Sequence, residues 1–260
     1  MGVRTGVVAL AVVLASCGGG QAASPQERTS DGGAPAGRLT VFAAASLTDA
    51  FEDLGNRFTQ ANPRVEVAFN FGSSSTLATQ VVEGGAPADV FASADQAQMD
   101  VVADAGLLAG EPQTFTGNSL EIAVEPGNPL DIRSLEDLAR ADVTTVLAAE
   151  NVPAGTYARK ALDGAGIQLT PASLEVDVRA VLSRVQLGEA DAGVVYASDI
   201  VAAGNAVKGI PIPPERNVAV TYPVAALADA PNAQAANSFV DYVLSGAAQA
   251  VLDEYGFSAP

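Results

Sequence analysis

Hydroxyl-bearing and small residues gather in this sequence at points where strand-like runs give way to helical spacing, and that pattern points to anion binding. Ser46 follows the apolar run Leu39–Ala44 and opens a helical stripe. Ser73-Ser74-Ser75-Thr76 stands at a second such junction, Ala154-Gly155-Thr156 at a third and Asp177-Val178 at a fourth. In open α/β sheets, ligands bind beyond the carboxyl ends of the strands, where helix N-termini converge. The unpaired N–H groups and the dipole at those ends favour negative charge. Taken singly, each serine is accounted for as an ordinary helix N-cap. The argument for a site comes from several junctions occurring together.

The usual catalytic constellations are missing. There is no histidine, the only cysteine is Cys17, and no Gly-x-Ser-x-Gly elbow occurs. The junction carboxylates Asp49, Asp89, Asp177 and Asp199 could be read as acid–base partners, but helix-cap and dipole roles account for them more simply. Arg179, beside the fourth junction, reads as a solvated helix residue. An enzyme on this architecture is the alternative of a different class, because fold alone does not set function. Thirteen basic against thirty acidic residues leave a formal charge of −17. That balance excludes nucleic acid as a partner, since phosphate binding depends on clustered Lys and Arg. It also excludes charge-driven attachment to an anionic membrane.

The elements that must position these junctions alternate between short β-rich runs and amphipathic helices, the signature of an α/β fold with largely parallel sheets. Strands are expected at Leu39–Ala44, Val65–Phe69, Ala88–Ala92, Ser119–Val124, Thr144–Ala148, Ala192–Tyr196 and Val218–Leu227, the last broken by Pro223. Helical stripes run through Leu47, Ala50, Phe51, Leu54 and Phe58, then Leu77, Val81 and Val82, and then around Met99 and Val102. Ser74 or Ser75 is the expected cap of the second of these. Further stripes cover 157–162, the positions Val178, Val181, Leu182 and Val185, and the C-terminal part from Ala233; Ser134-Leu135-Glu136-Asp137 resembles a capped helix start. Ala192–Tyr196 is almost wholly apolar, as expected of a strand covered on both faces. Ser119–Val124 and Val218–Leu227 are long enough to cross between two lobes. That reading gives lobe 1 as 38–118 plus 223–260 and lobe 2 as 119–222.

The N-terminus is set apart. Arg4 and the apolar run 7–14 have the form of a signal peptide over residues 1–16, and the run is about half the length a membrane-spanning helix needs. Leu14-Ala15-Ser16-Cys17 resembles the lipobox of bacterial lipoproteins, which makes Cys17 the expected lipidation site. Residues 17–37, rich in Gly, Ala, Ser, Pro and Gln, are expected to form a flexible tether, because they cannot bury enough surface to offset the entropy of ordering.

Several blocks then occur in order: Ala43-Ala44-Ala45-Ser46-Leu47-Thr48, Gly72-Ser73-Ser74-Ser75-Thr76-Leu77-Ala78, Gly85-Ala86-Pro87-Ala88-Asp89-Val90-Phe91, Val152-Pro153-Ala154-Gly155-Thr156-Tyr157-Ala158, Asp177-Val178-Arg179 and Gly193-Val194-Val195-Tyr196-Ala197-Ser198-Asp199. Together they resemble the periplasmic molybdate-binding proteins of ABC importers, from Leu39 to Ser258. The resemblance implies a two-lobe, type II periplasmic-binding-protein fold with a ligand cleft between lobes. It implies an extracytoplasmic protein that captures molybdate, and tungstate with it, and delivers it to an ABC permease. The lipobox and tether depart from the periplasmic form and make the expected protein lipid-anchored to the cell membrane.

The site implied by the resemblance consists of the hydroxyls of Ser46, Ser74 and Tyr196 and the backbone N–H groups of Ser46, Ser74, Ala154 and Val178. Ser74 is placed there as the serine two before Thr76. No cofactor and no direct metal ligand are implied, and a monomer suffices. Burying a dianion costs hydration on the order of tens of kcal/mol. About seven charge-assisted hydrogen bonds, each worth roughly 1.5–3 kcal/mol, would offset much of that. Such a shell of donors disfavours hydrogen phosphate, whose own proton needs an acceptor. Sulfate, phosphate and a ferric ion are the other ligands weighed; a ferric site would want several tyrosines, and of the five only Tyr196 lies at a junction.

Overall fold

The computed structural model describes residues 1–2 and 34–260, and residues 34–260 form one compact unit. The expected leader beyond its first two residues, Cys17, and the tether as far as residue 33 lie outside the described residues.

In chain order, β1 (Gly37–Ala44) leads through a 3-10 turn (Ala45–Leu47) into α1 (Thr48–Ala61), and then come β2 (Val65–Gly72), α2 (Ser74–Val82), β3 (Val90–Ala92), α3 (Gln96–Asp104) and β4 (Gln113–Asn118). There follow β5 (Leu120–Val124), β6 (Thr145–Ala148), α4 (Pro153–Gly164), β7 (Ser173–Glu175), α5 (Val178–Gln186), β8 (Ala192–Tyr196), α6 (Ala197–Ala203) and β9 (Lys208–Pro211). The chain ends with β10 (Val220–Ala226), α7 (Ala233–Val243) and α8 (Gly246–Glu254). Two five-stranded sheets result, ordered β2-β1-β3-β10-β4 and β7-β6-β8-β5-β9.

Each sheet is half antiparallel rather than largely parallel. β10 runs against β3 and β4, and β5 runs against β8 and β9. The cause is topological, since a chain that leaves one sheet and returns must insert strands opposed to those built by βα repeats. The outward crossing takes place at Ser119, between β4 and β5, and the strand expected at Ser119–Val124 is β5, with β4 ending just before it at Asn118 in the other sheet. On the return, Val220 already pairs with Asn118, which places the start of β10 before the expected boundary at 223. Pro223 marks a register shift within the strand and not a break, because it lacks only the N–H. At the other end, Gly37 pairs with Val65 and its N–H donates to the carbonyl of Arg64, so ordered strand begins one residue inside the expected tether.

Sequence periodicity located the interior well. Ala50, Phe51, Leu54 and Phe58 of α1 are buried against an aromatic group in which Phe51 and Phe115 lie 5.7 Å apart and Phe58 and Phe239 5.2 Å. Every residue of β8 is buried. The strands that periodicity missed, β4, β7 and β9, are all edge strands, which pair on one side and carry a weaker apolar signal. The start at Ser134 is capped as expected, with Asp137 Oδ2 accepting from the Ser134 N–H, yet only a 3-10 turn (Leu135–Ala139) forms before Arg140 becomes extended.

Candidate functional site

One small cavity, about 10 Å³, lies where the C-terminal ends of strands from both sheets meet helix starts. The first sheet and its helices contribute Ala44, Ala45, Ser46, Gly72, Ser73, Ser74 and Ala94, and the second contributes Val152, Pro153, Ala154, Asp177, Val178 and Tyr196. A space on the scale of one water leaves no room for a sugar or peptide. All five residues expected at the site (Ser46, Ser74, Ala154, Val178 and Tyr196) line this cavity. No Lys or Arg is in its wall. Among the described residues, no group of three or more His, Cys, Asp or Glu is placed to hold a metal ion.

Local structure explains each position. The cap of α2 is Ser73, whose Oγ accepts from the Thr76 N–H, and not Ser74 or Ser75 as expected. Ser74 is therefore in the first turn, almost fully buried, with its Oγ accepting from the Ala94 N–H at 2.9 Å. Ser46 Oγ stands 2.9 Å from the hydroxyl of Tyr222. Ala154 follows Pro153 at the start of α4, where the missing proline N–H costs nothing. Val178 is the first residue of α5, which Asp177 caps by accepting from the Ala180 N–H. The N–H groups in such first turns have no preceding carbonyl to receive them.

Gly155 allows the close approach of α4. A Cβ there would collide with the carbonyl oxygens of Ala148 and Ala149 at the end of β6. Tyr196 ends β8 fully buried, and its hydroxyl has no hydrogen-bond partner among the described residues. Burial raises its pKa well above the usual phenol value, so it remains a donor.

The carboxylates behave as caps and braces. Asp89 accepts from the N–H groups of Thr40 and Asn232, and Asp199 accepts from the Tyr196 N–H at 3.0 Å. Arg179 corrects an expectation, because it is not a solvated helix residue. Its side chain is 25% exposed, its Nη2 donates to Asp49 Oδ2 at 2.5 Å, and its Nε lies 2.9 Å from Oδ1 of the buried Asp199. This last contact is a charge contact off the hydrogen-bond axis. The cation thus joins α1 to α5 beside the cavity. Burial pushes the Asp199 carboxyl up to about 6, and Arg179 opposes the rise. Two residues behind the wall, Tyr222 and Asn118, also escaped sequence reasoning. Their only signals are a tyrosine and an asparagine in strand-like runs.

Residues 39–258 match the bacterial extracellular solute-binding protein family. The chain belongs to that family. This solute-binding protein is 42% identical over 262 residues to the molybdate-binding protein ModA of Mycobacterium tuberculosis, a match covering 100% of this chain and 99% of that one. It is 38% identical to the molybdate-binding protein ModA of Escherichia coli, over 85% of this chain and 89% of that one. The periplasmic molybdate-binding protein of Azotobacter vinelandii superposes with a TM-score of 0.75 at 21% identity, covering 85% of this chain and 99% of that one. The architecture is that of a type II periplasmic binding protein, and the family is one of extracellular proteins that bind solutes.

Proposed function

We propose that this protein captures molybdate, and tungstate with it, outside the cell membrane and delivers it to the permease of an ABC importer. The observation that carries the reading is the cavity wall: four buried hydroxyl residues, of which Ser73 is engaged as the cap of α2, and the first turns of α2, α4 and α5 converge on it without a cationic side chain. In the proposal, the hydroxyls of Ser46, Ser74 and Tyr196 and the N–H groups of Ser46, Ser74, Ala154 and Val178 donate to the oxyanion. An all-donor shell suits a fully ionised tetrahedral dianion. The molybdate-binding relatives support the choice among such dianions.

The lobes of the proposal are built on the two sheets, with β4–β5 and the approach to β10 as crossings that bend when the lobes close over the ligand. Cys17 is lipidated after removal of residues 1–16, and the protein works as a monomer tethered by that lipid. Isothermal titration of residues 34–260 with molybdate, followed by sulfate and phosphate as competitors, is the test. Tight one-to-one binding undisturbed by excess sulfate is expected. Equal displacement by sulfate would move the reading to a sulfate-type oxyanion, and the absence of heat with every oxyanion would sink it.

A further inference from the structure

Tyr222 does not line the cavity, yet its hydroxyl meets that of Ser46, which does. Its ring is fully buried, edge-on to Tyr196 and Phe257 with centroids 6.0 and 5.6 Å away. Its hydroxyl is 2.9 Å from Ser46 Oγ and 3.4 Å from Asn118 Nδ2. The direction of each proton follows by elimination. Asn118 Oδ1 accepts from the backbone N–H of Ser119 at 2.9 Å, a group that can only donate, so the other arm of the amide is the NH2. That NH2 donates to Ser198 Oγ at 2.9 Å and, over a longer distance, to the Tyr222 hydroxyl. It offers no lone pair to the phenol proton. Among the described residues, Ser46 Oγ is then the acceptor for that proton, and burial, which raises the pKa of Tyr222, keeps the proton on the phenol. Ser46 accepts from Tyr222, and its own proton is left with the cavity as its outlet. Ser74 is set the same way, because the Ala94 N–H occupies its Oγ from behind.

We infer that Tyr222, oriented by Asn118, is a positioning residue that sets the Ser46 hydroxyl as a donor to the bound anion and thereby disfavours oxyanions that keep a proton. The inference rests on the oxyanion reading of the cavity. Tyr222 engages one lone pair of Ser46 and polarises its O–H toward the anion. A ligand such as hydrogen phosphate then meets donors and lacks an acceptor for its proton. With Tyr222 removed, Ser46 Oγ has its lone pairs free and its rotamer unheld.

The test is a double-mutant cycle in the full chain, with Tyr222→Phe, Ser46→Ala and the pair, each titrated with molybdate and with phosphate at pH 7. Phenylalanine preserves the ring packing. Tyr222→Phe is expected to weaken molybdate binding about threefold to tenfold, the range of a net hydrogen bond. It should cause little further loss when Ser46 is already alanine, and the molybdate-to-phosphate affinity ratio should fall. Asn118→Ala, the second variant, is expected to move the ratio in the same direction by a smaller factor, and it keeps the test decisive if Tyr222→Phe does not fold. Losses that add in the double variant, or fall equally on both oxyanions, would overturn the inference while the oxyanion reading stands. A wild-type protein that binds no oxyanion would overturn both.

Discussion

At the scale of the residue, the site is defined by protons without a protein acceptor. A buried hydroxyl left unpaired costs about 1–3 kcal/mol, and among the described residues Tyr196 has no protein partner for its hydroxyl. A ligand that accepts there recovers it. Tyr196→Phe and Ser74→Ala should each weaken oxyanion binding at least several-fold, with different signatures in the unliganded protein. Tyr196→Phe removes only an unpaired group, so thermal unfolding without ligand should be unchanged or rise. Ser74→Ala also orphans the Ala94 N–H, so stability should fall with affinity, by roughly 1–2 kcal/mol. Calorimetric titration and unfolding scans separate the two cases. Wild-type binding by both variants would remove these hydroxyls from the site.

At the scale of the element, what matters is how near a helix start can come to a strand end. Gly155 lies in the first turn of α4, and α4 reaches the cavity because no side chain there meets the Ala148 and Ala149 carbonyls. Replacing glycine by alanine within a helix ordinarily stabilises by about 1 kcal/mol. Here the sign should reverse. Gly155→Ala is expected to destabilise by roughly 1–3 kcal/mol through overpacking and to weaken binding, because α4 must withdraw its first turn. A variant with wild-type affinity would show that the start of α4 contributes nothing to the ligand shell.

At the scale of the whole molecule, the contacts that matter join α1, which follows a strand of one sheet, to α5, which precedes a strand of the other. Arg179 makes that join through Asp49 and Asp199, and the carboxyl of Asp199 is pushed up to about 6 by burial. The folded protein thus holds this proton more tightly than the unfolded chain, where an aspartate titrates near 4. The stability it contributes is full below about pH 4 and is lost as pH rises toward 6, on the order of 2 kcal/mol. Asp199→Asn keeps an acceptor for the Tyr196 N–H and removes the titration. Unfolding midpoints measured from pH 4 to 7 should therefore show the wild type losing ground to Asp199→Asn across that window. The sequence has no histidine to obscure it. Parallel curves would mean that Arg179 holds Asp199 ionised throughout.

The sequence by itself determined the α/β class, the apolar faces of the helices and the fully buried β8, and its junction blocks pointed to five residues that are among those lining the cavity. Those features are local: periodicity records which face is buried, and the junction blocks record where a strand hands over to a helix start. The tertiary structure alone decided how the serines divide their roles, with Ser73 capping α2 and Ser74 Oγ held by the Ala94 N–H twenty residues away. It alone turned Arg179 inward, and it alone brought Tyr222 to Ser46 across 176 residues of chain. A hydrogen bond between distant strands leaves no periodic trace, since its partners are selected by how the two sheets face each other and not by any neighbour in the sequence.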